Sequence, residues 1–248
     1  MKKLELAIKR TGAQLTLEKL EKLRKFGDLI EKNNQSQNLT GHKSWNEIRD
    51  NLFIRSFSIY EILGKLKLKN SKIIDVGTGS GIPGLLIKIL NPETNIHLLD
   101  SNKKKVEFLR KVVSELDITD IQILHSRAEK EGRNPVFREV FDVVVSRGVA
   151  KLNQLAELTI PFCKLQGLVI CLKGNNIDQE LKSSEFASKI LGAENVDVIS
   201  AEYQENQLPD KLIVWKKNKN TPLKFPRRDG MPKKSPLIKK SIWYEFKK

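Results

Sequence analysis

The run Asp75-Val76-Gly77-Thr78-Gly79-Ser80-Gly81-Ile82-Pro83-Gly84 joins two apolar segments. Lys72-Ile73-Ile74 before it reads as a strand, and Leu85-Leu86-Ile87-Lys88-Ile89-Leu90 after it reads as a helix. Glycines at such a turn let the backbone take positive φ and let a ligand approach the main chain closely. A second apolar run, Asn95-Ile96-His97-Leu98-Leu99, closes on Asp100. A carboxylate about 20 residues past a glycine loop, at the end of the second strand, can accept two hydrogen bonds from a ribose diol. The spacing therefore predicts a nucleoside site.

Which nucleoside depends on charge. Gly79-x-Gly81-x-x-Gly84 fits the dinucleotide fingerprint. Asp75, however, closes the first strand, where its charge is expected to face the ligand. Beside a pyrophosphate that is repulsive; beside a cation it is favourable. Pro83 stands at the first helical turn, where it removes an N–H that a phosphate would use. An acid followed by Gly-x-Gly-x-Gly and then a ribose-binding acid resembles the S-adenosylmethionine site of class I methyltransferases. That cofactor carries a sulfonium cation and no phosphate. A glycine turn without a ligand remains as the bland alternative, but it costs backbone entropy and adds no packing.

The elements that must position these residues alternate from Ser71 onward. Strands are predicted over 72–76, 95–100, 120–124, 141–146, 167–172, 194–200 and 210–216. Helices are predicted over 83–91, 103–116, 151–162 and 177–191. This alternation predicts an α/β fold, a mostly parallel seven-stranded sheet with helices on both faces. Ligands in such sheets bind outside the carboxyl ends of the strands. Those ends carry Asp75, Asp100, Ser126-Arg127 and Ser146-Arg147. The last two strands are close enough to form an antiparallel hairpin. Residues 1–64 read as a helical extension, with Leu15, Leu17, Leu20, Leu23, Phe26 and Ile30 at helical spacing and Thr16 as a cap. A second helical stretch is predicted from about Ser44 to a stop at Gly64. The expected division is 1–64 extension, 65–217 catalytic domain and 218–248 basic tail.

Composition narrows the class. Of 248 residues, 39 % are hydrophobic and 30 % charged, which suits a soluble protein with a sizeable core. No apolar run is long enough for a membrane span, and the N-terminus lacks a signal-peptide core, so a cytoplasmic location is expected. Cys163 and Cys171 read as reduced, buried thiols. No metal site is expected, because His42, His97 and His125 are scattered and pair with no cysteine. Net charge is +15, and residues 216–248 hold twelve Lys or Arg against Asp229 and Glu245. This run interleaves Pro222, Pro226, Pro232 and Pro236 with Phe225, Trp243, Tyr244 and Phe246. Prolines predict an extended segment of low helix content. Cations neutralise phosphates, and aromatics stack on unpaired bases. Nucleic-acid contact is the favoured reading; plain solubility and an anionic membrane surface are the alternatives. Lying far in sequence from the glycine loop, the tail is expected to be dispensable for cofactor binding.

With these residues in hand the chain resembles the RsmG (GidB) family, bacterial enzymes that methylate N7 of one guanine in 16S ribosomal RNA. The motifs that carry the resemblance span most of the chain. They are Asn38-Leu39-Thr40, the 75–84 loop, Leu98-Leu99-Asp100-Ser101, Lys105-Val106-Glu107-Phe108-Leu109-Arg110 and Ser126-Arg127-Ala128-Glu129. Phe141-Asp142-Val143-Val144-Val145-Ser146-Arg147-Gly148-Val149-Ala150, Leu172-Lys173-Gly174 and the tail Thr221-Pro222-Leu223-Lys224-Phe225-Pro226-Arg227-Arg228 follow. The resemblance implies a class I (Rossmann-like) methyltransferase using S-adenosylmethionine, with 16S ribosomal RNA or the small ribosomal subunit as partner; a monomer is expected. It implies cofactor contacts from Gly77, Ile82, Ala128, Glu129 and Arg147. Asp75, Gly79 and Gly81 belong to the same loop, and Asp100 to the ribose position. Arg147 pairs with either the methionine carboxylate or the RNA. Arg147 and Lys173 are the positioning candidates, and Lys224, Arg227, Arg228, Lys233 and Lys234 are the RNA-binding candidates. The chain departs from the family pattern at Asn33, at Gln37 and over Arg55-Ser56-Phe57-Ser58-Ile59-Tyr60.

The implied chemistry is an in-line displacement. Guanine N7 carries an exposed lone pair and no proton at neutral pH, so no general base is needed, and the chain shows no conspicuous nucleophile or catalytic carboxylate pair. Rate then comes from holding the reacting atoms in line at about 3–3.5 Å. Other readings remain at this point: a methyltransferase of another RNA position, one acting on a small molecule or protein, and a non-catalytic RNA-binding module.

Overall fold

A computed structural model of the chain describes residues 1–201 and 210–239. Among these, helices α1 (Lys2–Arg10), α2 (Leu17–Gln37), α3 (Trp45–Glu47) and α4 (Tyr60–Leu63) precede the sheet. Strands β1 (Lys72–Val76), β2 (Asn95–Asp100), β3 (Ile121–His125), β4 (Phe141–Arg147), β5 (Cys163–Lys173), β6 (Ala193–Ala201) and β7 (Asp210–Lys217) alternate with helices. These helices are α5 (Gly84–Leu90), α6 (Lys103–Glu115), α7 (Ala128–Glu131), α8 (Leu152–Thr159) and α9 (Asp178–Ile190). A last short helix, α10 (Met231–Lys234), lies in the tail.

The strand order is β3-β2-β1-β4-β5-β7-β6. β1 to β5 run parallel, and β7 is antiparallel to both β5 and β6. The expected closing hairpin is present. The order reverses between β1 and β4, and at such a switch point the connections diverge and leave a crevice at the carboxyl ends. Because both faces are covered, the strands read as nearly continuous apolar runs. Alternate residues nevertheless divide between two cores. Ile73, Val143, Val145 and Ile170 pack with Phe26, Phe53, Leu85 and Leu109 on one side. Ile74, Val144, Val169 and Cys171 pack with Leu155, Ala187 and Trp215 on the other. Cys163 and Cys171 are buried free thiols, and burial pushes the Cys163 thiol up to about 12.

The N-terminal helices follow the sequence signals closely. Thr16 caps α2, its hydroxyl accepting from the Lys19 N–H at 3.3 Å. Asn38 ends the helix in the left-handed region, at φ 49°. Ser44 and Glu47 form a reciprocal capping box that starts α3. Beyond it the expected single helix is a succession of types: a π-helical stretch over Ile48–Ile54, a 3₁₀ turn over Phe57–Ile59, then α4. Two carbonyls of the π-helical stretch, those of Asn51 and Leu52, also accept from Arg147, a partner distant in sequence. The Phe26 and Phe53 rings stack at 5.3 Å between centroids.

Gly27 is where Trp45 crosses α2. A Cβ there would stand 2.1 Å from the indole Cζ3. Gly27→Ala is therefore expected to destabilise the protein by about 1–3 kcal/mol, since overpacking outweighs the helix-propensity gain of roughly 1 kcal/mol. Chemical denaturation checks this; a more stable variant would mean the indole moves aside freely.

Candidate cofactor-binding site

A cavity of about 420 Å³ opens at the switch point. Its floor is Val76 and Gly77 from the end of β1, and Leu99, Asp100 and Ser101 from the end of β2. Ser126, Arg127, Ala128 and Glu129 follow β3 along one side; Gly148, Val149 and Ala150 follow β4 along the other. Gln154 and Leu158 of α8 form the back. The last wall was not foreseen: Gly230, Pro232 and Lys233 come from the tail.

The loop is set from beneath. Gly77, Gly79 and Gly81 take φ of 72°, 61° and 96°, all in the left-handed region. At Gly77 a Cβ would stand 2.5 Å from a Val149 methyl, so the glycine lets the two sides of the cavity approach. The Asp100 carboxylate accepts from the Gly79 N–H at 2.9 Å and from the Asn102 N–H at 2.8 Å. It thereby joins the loop to the start of α6, where Asn102 caps the helix.

Asp75 does not face the ligand as expected. It is fully buried under the loop, where Oδ2 accepts from the Thr78 hydroxyl at 2.7 Å and from the Gly84 N–H at 2.8 Å. The reason is structural need: Gly84 opens α5, and its N–H finds this carboxylate. The consequence bears on the two nucleoside readings. The helix end that would hold a pyrophosphate is occupied by a carboxylate of the chain itself, and Pro83 offers no N–H. What weighs against a dinucleotide is thus occupation of the helix end rather than repulsion across the cavity.

Burial pushes the Asp75 carboxyl up to about 7; the Thr78 and Gly84 bonds and Arg147 oppose the shift, while Asp100 adds to it. In the unfolded chain an aspartate titrates near about 4. The folded protein thus keeps a proton that the unfolded chain has lost between about pH 4 and about 7, so stability is expected to fall as pH rises through that window. Asp75→Asn, neutral throughout, is expected to flatten this decline in urea denaturation. An unaltered slope would place the titration on another group.

The remaining candidates separate. Ala128 and Glu129 line the cavity with Gly77 and Asp100. Gly79 and Gly81 shape the loop from outside the lining, and Ile82 is turned into the core. Arg147 reaches the N-terminal helices, donating to the carbonyls of Asn51 and Leu52 and, at 3.2 Å, to the Ser56 hydroxyl. Lys173 donates to the Ala150 carbonyl at 2.9 Å and pairs with Glu180 at 2.9 Å, which fixes the loop after β4. His97 is buried edge-on to Phe141, and burial lowers its pKa. Asp142 accepts from the Lys72 N–H at 2.7 Å and pairs with Lys164, as a structural residue does.

The tail's packing bears on two expectations. The described part of the tail, residues 218–239, is folded onto the domain, with Thr221, Phe225, Pro226 and Pro232 buried. Arg138 donates to the Phe225 carbonyl at 2.7 Å, and Arg133 to the Pro226 carbonyl at 2.6 Å. Arg227, expected on RNA, spends its guanidinium on Glu157, with Nη2–Oε2 at 2.7 Å. The Gly230 N–H donates to Glu129 Oε1 at 2.9 Å. Dispensability for cofactor binding followed from sequence distance, and the fold removes that distance. Lys224, Arg228, Lys233 and Lys234 are exposed. Trp243, Tyr244 and Phe246 lie outside the described residues.

Comparison with known proteins now decides the family. The model of the GidB family, rRNA small subunit methyltransferase G, matches residues 19–209. The chain belongs to this family. Among GidB relatives, the Ribosomal RNA small subunit methyltransferase G of Acetivibrio thermocellus is 40% identical over 226 residues, covering 91% of this chain and 92% of that one. The protein of the same name from Clostridium novyi is 37% identical over 235 residues, covering 95% and 96%. A solved Pyrococcus horikoshii structure, described as a candidate transferase, superposes with a TM-score of 0.53 at 10% identity, over 67% of this chain and 64% of that one. At that identity it speaks for the fold of this chain alone, a mostly parallel α/β sheet with helices on both faces. Among the described residues no helix is long and apolar enough to cross a membrane.

Proposed function

We propose that the chain transfers a methyl group from S-adenosylmethionine to N7 of one guanine in 16S ribosomal RNA, acting on the RNA or the small ribosomal subunit in the cytoplasm. The observation that carries this reading is membership of the GidB family over residues 19–209. The cavity supports the cofactor: it combines the Gly77 cradle, the Asp100 carboxylate and a helix end closed to phosphate. Bound there, S-adenosylmethionine supplies an electrophilic sulfonium methyl.

The chain's own residues orient and enclose. Asp100 retains lone pairs for a ribose diol after accepting from Gly79 and Asn102, since a carboxylate offers about four acceptor sites. Gly77 and Val149 narrow the cavity where β1 and β4 end. Lys173 holds Ala150 in place. No side chain need remove a proton, because guanine N7 carries none at neutral pH. Exposed Lys224, Arg228, Lys233 and Lys234 provide phosphate contacts. Transfer of labelled methyl from S-adenosylmethionine to small-subunit RNA, mapped to one guanine, tests the reading. Label in protein or metabolite instead would overturn the substrate, and cofactor binding without any transfer would overturn the activity.

A further inference from the structure

Glu157 of α8 is fully buried, and the hydrogen bonds at its carboxylate come from Arg227: the backbone N–H at 2.7 Å, Nε at 2.9 Å and Nη2 at 2.7 Å. A buried carboxylate without such partners is costly. The docked tail supplies them. The same Arg227 Nη2 donates to the Ser235 carbonyl at 2.7 Å, so one guanidinium ties both ends of the segment 227–235 to α8. Between these ends stand Gly230, Pro232 and Lys233, which face the cavity, and the Gly230 N–H that meets Glu129. Gly230 takes φ 78°, which turns the chain back at the cavity edge. Gln154 and Leu158, which flank Glu157 on α8, line the same cavity.

We infer that Glu157 and Arg227 are positioning residues for the cofactor site, clasping residues 228–234 as a wall that sets the affinity for S-adenosylmethionine. The inference rests on the cofactor reading above and adds a determinant from outside the glycine-loop motifs. The clasp touches no reacting atom. Its loss lets the wall leave, exposes the cavity to water and frees Glu129 from Gly230, while the glycine loop and Asp100 keep their own bonds.

Two measurements on the full chain test it. In the first, hydrogen–deuterium exchange of the wild-type protein is followed with and without saturating S-adenosylmethionine. Slower exchange is expected both in the loop 77–81 and in 228–234. Protection of the loop without protection of 228–234 would overturn the clasp; protection of neither would overturn the cofactor reading instead. In the second, Arg227→Ala and Arg227→Lys are titrated with the cofactor and assayed for methyl transfer. Arg227→Ala is expected to raise Kd and KM for S-adenosylmethionine by about 10- to 100-fold, the loss of a charge-assisted contact. The rate at saturating cofactor is expected to stay within about twofold of wild type, and Arg227→Lys, which keeps a cation for Glu157, to recover part of the affinity. A folded Arg227→Ala protein with wild-type KM, or one losing rate at saturation instead, would refute the assignment.

Discussion

Asp100→Ala is expected to weaken S-adenosylmethionine binding by about 2–4 kcal/mol, roughly 30- to 1,000-fold. Position at the end of β2 alone justifies the lower figure, the value of charge-assisted bonds to a ribose diol. The geometry raises it. The carboxylate also accepts from Gly79 at 2.9 Å and Asn102 at 2.8 Å, so its removal frees the loop and the first turn of α6 together. Asp100→Asn keeps an acceptor and is expected to fall between the two. Calorimetry on proteins of unchanged thermal stability reads the difference. A folded alanine variant with wild-type affinity would take Asp100 out of the site.

The second large effect concerns RNA. Replacing Lys224, Arg228 and Lys234 together by alanine leaves the Arg227 clasp and the cavity-lining Lys233 in place. RNA affinity is expected to fall by about two orders of magnitude near physiological salt. The slope of log K against log salt is expected to become shallower by roughly 2–2.7, from about 0.7–0.9 per phosphate contact. Cofactor affinity is expected to fall far less than in Arg227→Ala, because Arg228 and Lys234 belong to the clasped segment but do not line the cavity, which distinguishes this variant from those of the clasp. The same RNA affinity and salt slope as wild type would make the exposed tail cations a solvated surface, and RNA recognition would then have to reside elsewhere.

Much of the fold was legible because its signals are local. The strand–glycine–helix succession, the Thr16 cap and the apolar runs of β1, β2, β4 and β5 each reflect neighbours in sequence. The direction of Asp75 was not, because β1 is covered on both faces, and period-two alternation cannot say which side of a doubly buried strand receives a carboxylate. The partners of Arg147 were hidden for a related reason. A cation after an apolar strand points toward the ligand edge, but the helices of residues 45–59 reach that edge and offer carbonyls to it.

Glu157 carried no signal. On α8 it stands off the stripe of Leu152, Leu155, Ala156 and Thr159, so its spacing reads as solvent-facing. It is buried only because a segment 70 residues later covers it. The tail's composition concealed this docking: prolines and cations describe an unattached nucleic-acid arm equally well, and the ion pairs that attach it are non-local. The groups that receive it, Arg133, Arg138, Glu139 and Glu157, lie between β3 and β5, where nothing marks them as partners of the tail.

The position of that wall also bears on biosynthesis. Chains emerge from the ribosome N-terminus first and fold largely as they appear. The glycine loop, Asp100 and Glu129 are all made early, and with Lys217 the last strand of the sheet is available. Residues 227–235 follow only then. A nascent chain paused after β7, or a product cut short there by a frameshift or protease, would carry a finished sheet and a cavity open on one side. Competence to bind cofactor would then arrive after the sheet, with the residues that follow β7 rather than with β7 itself.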